Sequence, residues 1–143
     1  MPQFEQIAAR GQILPLLFVQ DAVAASQTDA QLNLMEVTGG SALAIQGISM
    51  PWAGSVVGIS VDLSAAATAG QLTVGVTNGG TEAAASTQTL TTQTAKTAVF
   101  AQDAIRFVAG DKLGVEITTN MAWDGVTADL AVVVYVLLDC INC

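Results

Sequence analysis

Phe107-Val-Ala-Gly-Asp-Lys-Leu-Gly-Val-Glu-Ile-Thr-Thr119 is followed, after a short break, by Thr127-Ala-Asp-Leu-Ala-Val-Val-Val-Tyr-Val-Leu-Leu-Asp139. Ala109-Gly110-Asp111 is a turn signal. Leu113, Val115 and Ile117 then fall on every second position, the period of a half-buried strand. The second stretch is a longer strand, apolar from Leu130 to Leu138. Together they read as the closing edge of an antiparallel β-sandwich, and neither carries a catalytic group.

The same period extends backwards. Val57, Ile59, Val61 and Leu63 alternate, as do Leu72, Val74 and Val76. Asn78-Gly79-Gly80 then signals a tight turn. Leu32 and Leu34, Leu43 to Ile45, Ile48 to Met50, the stretch around Leu90, and Lys96 to Phe100 are further strand candidates. That gives about eight strands with Gly-, Ala-, Ser- and Thr-rich loops, hence an all-β sandwich or barrel. Only the N-terminus departs from this pattern. Phe4, Ile7 and Ala8 have the spacing of a short helix that Gly11 ends. Ile13-Leu-Pro-Leu-Leu-Phe-Val19 is strongly apolar, but Pro15 lacks the donor a central strand needs. Residues 1–28 therefore read as an arm or an edge strand, and residues 29–143 as the sandwich. On the arm reading, removing residues 1–20 leaves a folded protein; on the strand reading it does not.

Composition narrows the function. In 143 residues, 52% are hydrophobic and only 11% charged, against about 25% charged for an ordinary soluble domain. Such a chain is expected to hide surface in a membrane or against other subunits. The run from Leu130 to Leu138 is far shorter than the roughly 20 residues of a membrane-spanning helix. Aromatic residues, at 5%, do not supply the girdles of a membrane barrel. Burial between subunits is the expectation, with no membrane partner. The net charge of −8 and a cation set of Arg10, Lys96, Arg106 and Lys112 argue against direct nucleic-acid binding. The start, Met1-Pro-Gln-Phe-Glu-Gln, has neither the basic nor the apolar region of a secretion signal.

Catalytic chemistry is sparse. The chain has no His, which removes the usual base for serine or cysteine nucleophiles. Gly39-Gly40 and Gly79-Gly80 lack the Lys and helix of a phosphate loop. Asp103, Asp111, Asp124 and Asp129 are weighed as calcium ligands, but their spacing is that of turn carboxylates rather than a D-x-D-x-D-G loop. Paired carboxylates for glycoside hydrolysis are conceivable, and no pair is singled out. Cys140-Ile-Asn-Cys143 follows a strand rather than opening a helix, and one chain lacks four zinc ligands. The two thiols are read as a loose tail or an intersubunit contact. No enzyme, cofactor or metal is expected.

Gly54 to Leu63, Ala69 to Val76, Phe107 to Val115 and Thr127 to Tyr135 resemble the eight-stranded jelly-roll modules of tailed bacteriophages. Those modules occur in capsid decoration (cement) proteins and in head or tail fibres, commonly as trimers. The layout is also similar to the trimeric jelly roll of the tumour-necrosis-factor type. The resemblance covers residues 43–139 and rests on alternation and Gly-Asp turns. It implies a virion protein on the outer surface of the capsid: a homotrimer that binds where major capsid proteins meet and stabilises the head. The short chain, with no heptad or collagen-like repeat, favours decoration over a fibre. A receptor- or carbohydrate-binding fibre tip is the alternative. The residues expected to meet the capsid are Phe4, Ile7, Ile13, Leu14, Leu16, Leu17 and Phe18. Trp52 and Trp123, both in loops, either anchor an interface or cap the end of the core.

Overall fold

The structure is a computed structural model that describes residues 12–34 and 47–139. It contains eleven strands: β1 (Ile13–Gln20), β2 (Ala30–Gln31), β3 (Ile48–Ser49), β4 (Gly54–Leu63), β5 (Leu72–Asn78), β6 (Thr81–Glu82), β7 (Gln88–Leu90), β8 (Ala95–Val99), β9 (Arg106–Phe107), β10 (Lys112–Thr119) and β11 (Leu130–Leu138). One turn of 3-10 helix spans Ala84–Ser86. The strand count exceeds eight because several edges are made of two-residue pieces. The expected helix around Phe4 and Ile7 and the strand around Leu43 lie outside the described residues.

Two antiparallel sheets face each other. The first runs β1-β11-β4-β8, with β9 continuing beside β4; the second runs β2-β10-β5-β6, with β3 beside β10 and β7 beside β5. The chain passes between the sheets at six of the ten connections, so the core is built from strands distant in sequence. Its two longest ladders are β11 with β4 and β1 with β11.

Alternation sets what is inside. Val132, Val134 and Val136 of β11 face Val56, Ile59 and Val61 of β4 across the register and are buried. Leu72, Val74 and Val76 of β5 meet them from the second sheet with Val115 and Ile117 of β10. Between Tyr135 and Val136 the pairing with β4 shifts by one residue, so Val57 is bulged. The bulge keeps both Val56 and Ile59 inward, because it resets the side-chain phase of a strand too long to alternate unbroken.

β1 is the edge strand of the first sheet, and it is part of the sandwich. Phe18 is fully buried opposite Val132, and Leu16 is buried opposite Val134. Val19 exchanges both backbone bonds with Asn33, away from β11. The alternate residues Ile13, Pro15 and Leu17 turn their backbone groups the same way. Pro15 therefore sits where the ladder asks for no donor, which is why an apolar strand containing proline fits this edge. Beyond β1, Val23 is buried and bonds Ala128, so the chain past Gln20 packs on the same core.

Candidate assembly surface

The outer face of the first sheet is apolar. In β11 the residues between the core valines are Ala131, Val133, Tyr135 and Leu137. Their neighbours on β1 are Val19, Leu17, Pro15 and Ile13. On the other side lie Gly58, Ser60 and Asp62 of β4, and then Val99, Thr97 and Ala95 of β8. Ile13 is 64% exposed, Leu17 51% and Val99 89%. A solvated antiparallel sheet keeps its outer face polar; here, among the described residues of the paired strands, the charged side chains along it are Asp62 and, at the β9 margin beside Ser55, Arg106. Gly58 leaves a floor without a side chain, and a depression of about 410 Å³ opens over it between Tyr135, Val99 and Ile13.

The second sheet presents the opposite character. Glu116, Gln31, Thr118 and Thr77 face outward. Gly75 lies opposite Glu116 in the register. A Cβ on Gly75 would collide with Glu82 Oε1. The missing side chain thus makes the niche in which the Glu82 and Glu116 carboxyls meet. Gln31 Nε2 donates to Glu116 Oε2 at 3.0 Å, and the Thr87 hydroxyl donates to Glu82. Desolvation, and then the bond to Glu82, pushes the Glu116 carboxyl above its ordinary range.

The structure sorts the residues singled out in the sequence. Phe4, Ile7, Cys140 and Cys143 lie outside the described residues. Ile13, Leu14 and Leu17 are exposed on the edge strand, whereas Leu16 and Phe18 are not surface residues at all. Leu16 and Phe18 are corrected from partner contacts to core, because every second side chain of β1 points between the sheets. The tryptophans also part company. Trp123 is 3% exposed, and its indole donates to the Val23 carbonyl at 3.0 Å, closing one end of the core. Trp52 is 43% exposed.

The aspartates weighed as calcium ligands are occupied by other bonds, Asp111 and Asp103 within their own turns and Asp124 and Asp129 to neighbouring loops. Asp124 accepts from the Thr68 hydroxyl and from the Thr68 and Ala69 amides, which holds its carboxyl below the ordinary range. Asp111 accepts from the Val108 amide at 2.9 Å and from Asn78, with the same effect. Asp129 accepts from the Ala22 amide, and Asp103 pairs with Arg106. Among the described residues no group of three His, Cys, Asp or Glu side chains is placed to hold a metal ion. No helix among them is long and apolar enough to cross a membrane.

The signal that sequence reasoning passed over is the second apolar face of β11. Ala131, Val133, Tyr135 and Leu137 were legible as part of a continuous apolar run, but without a partner strand their face was unassigned. Compared with known proteins, the chain matches no family model and no curated sequence.

Proposed function

We propose that the chain is a jelly-roll subunit of a homotrimer that decorates the outer surface of a phage head, cementing the junctions between major capsid proteins. The strand order supports the jelly roll. Strands β1, β11, β4 and β8 in one sheet and β2/β3, β10, β5 and β7 in the other fill eight positions, and the chain changes sheet at six of the ten connections. The observation that carries self-assembly is the outer face of the first sheet. Covering Ile13, Leu17 and Val99 contributes about 25 cal/mol per Å² of apolar area, less the cost of ordering. The role on a capsid rests on the resemblance of Gly54 to Leu63 and Phe107 to Val115 to phage decoration modules, together with a composition that calls for subunit burial.

Light scattering tests the assembly. The expected native mass is three chains, and Leu17→Asp with Val99→Asp gives a folded single chain, since both side chains are exposed and outside the core. A single-chain mass for the unaltered protein overturns the reading. Co-sedimentation with shells prepared without this protein, in fixed stoichiometry, then tests the decoration role. The alternative of a glycan-binding fibre tip draws on the exposure of Trp52, and glycan binding lost in Trp52→Ala would favour it.

A further inference from the structure

Asn78-Gly79-Gly80 is a tight turn that self-assembly leaves without a role. Asn78 closes β5 opposite Thr81 of β6, and Gly79 and Gly80 cross between them with φ of 59° and 85°, the two left-handed residues of a short hairpin. The chain has four asparagines, Asn33, Asn78, Asn120 and Asn142, and the other three are followed by Leu34, Met121 and Cys143. An asparagine amide can be attacked by the backbone nitrogen of the next residue, and a side chain on that residue hinders the approach. Glycine offers no such hindrance. The turn also has room: a side chain at Gly79 or Gly80 would touch nothing within 4 Å among the described residues.

Two hydrogen bonds engage the atoms that would react. Asn78 Nδ2, the leaving nitrogen, donates to Asp111 Oδ2 at 2.9 Å. Gly79 N, the attacking nitrogen, donates to Lys112 O at 2.9 Å. Asp111 Oδ2 also accepts from the Val108 amide at 2.9 Å, and the Asp111 carbonyl accepts from Met50 N at 2.8 Å. Asp111 thus fastens the β5–β6 hairpin to the turn at residues 108–111 and to Met50.

We propose that Asn78 is a site of spontaneous deamidation, gated by its bond to Asp111 and by the bond from Gly79 to Lys112, and that conversion unfastens the hairpin from the 108–111 turn. Once both bonds open, Gly79 N bonds to Asn78 Cγ and the Cγ–Nδ2 bond breaks. The Gly79 amide proton leaves with the side-chain nitrogen as ammonia, and a cyclic imide remains. Water then opens the imide at either carbonyl, leaving a carboxylate on an aspartyl or an isoaspartyl backbone. Nothing is oxidised or reduced. The aspartyl product sets a second carboxylate against Asp111 where a donor stood, and like charges repel. The isoaspartyl product lengthens the backbone by one carbon and breaks the register of position 78 with Leu113 and Thr81. Neither outcome depends on the assembly proposed above.

Peptide mapping by mass after incubation in mildly alkaline buffer tests the proposal. In the folded protein, conversion is expected at Asn78 ahead of the other three asparagines. It is expected to be at least about tenfold slower than in the same chain unfolded in urea, since two bonds of ordinary strength open first. Asp111→Ala is expected to speed conversion in the folded protein by about threefold or more. Asn78→Asp, which leaves Asp111 in place, is expected to lower the urea midpoint by about 0.5–1.5 M. Conversion first at any other asparagine overturns the assignment, and equal rates in the folded and unfolded chains overturn the gate. A folded Asp111→Ala protein that converts at the unaltered rate removes Asp111 from that gate. An unchanged midpoint in Asn78→Asp overturns the unfastening, whether or not Asp111→Ala folds.

Discussion

Removing residues 1–20 tests the position of β1 most directly. The deletion takes away the edge strand whose eight residues pair with Leu130 to Leu137. It also strips the core of Phe18, fully buried, and Leu16, 5% exposed. Truncating a buried Phe costs about 3–5 kcal/mol and a buried Leu about 2–5 kcal/mol, so the two together amount to roughly 5–10 kcal/mol. A domain of this kind is stable by about 5–15 kcal/mol in total. The deletion therefore removes most of the stability, and it uncovers the β11 edge as well. Urea unfolding followed by Trp123 fluorescence and far-ultraviolet circular dichroism reads the outcome. The deleted chain is expected to show no cooperative transition. Phe18→Ala, which keeps the ladder, is expected to unfold cooperatively with a midpoint lower by about 2 M, taking a urea slope of about 2 kcal/mol/M. A deleted chain with a cooperative midpoint within about 0.5 M of the intact protein refutes the reasoning.

Glu116→Gln is expected to raise stability at neutral pH. The native carboxyl titrates above its unfolded value of 4.5, so the stability it lends the native state is fully present below that value and is lost as pH rises through the higher native one. Thermal unfolding between pH 4 and 8 should show this decline in the unaltered protein and a flatter profile in the variant; equal slopes would remove the Glu82–Glu116 niche as its cause. Trp123→Phe keeps most of the buried ring but leaves the Val23 carbonyl without its indole donor, a loss of about 1–3 kcal/mol seen as a lower urea midpoint. An unchanged midpoint would mean that this end of the core is held by packing alone.

Much of the sandwich was legible because its strands obey the two-residue period. Leu113, Val115 and Ile117, and equally Leu72, Val74 and Val76, point where their spacing says they point. The turns were legible as well: Gly79 and Gly80 adopt positive φ between β5 and β6, as a tight hairpin requires. The N-terminal segment was ambiguous for a physical reason. Pro15 bars a strand that is paired on both sides, and sequence does not show which side is open. The register with β11 and the bridge from Val19 to Asn33 supply that information. The Glu82–Glu116 pair was out of reach altogether, because the two residues are 34 positions apart in the chain and meet only across Gly75.

β11 shows why alternation alone does not locate an interface. A half-buried strand reports one covered face by being polar on the other, so its pattern is its own control. Leu130 to Leu138 lacks that control: Leu130, Val132, Val134, Val136 and Leu138 are buried, while Ala131, Val133, Tyr135 and Leu137 are apolar toward the outside. In a parallel sheet such a run means helices on both faces, but every ladder here is antiparallel and the outer face bears no helix among the described residues. The sheet partner on β1 is apolar on the same side through Ile13 and Leu17, and Val99 on β8 extends the patch two strands further from β11. An apolar surface that spans several strands is a shared property of the sheet rather than a stray side chain, and contiguous patches of this kind mark contact sites. The low charge of the whole chain and the second face of one strand are therefore the same fact at two scales, and both support the proposal that further copies of the chain cover this sheet.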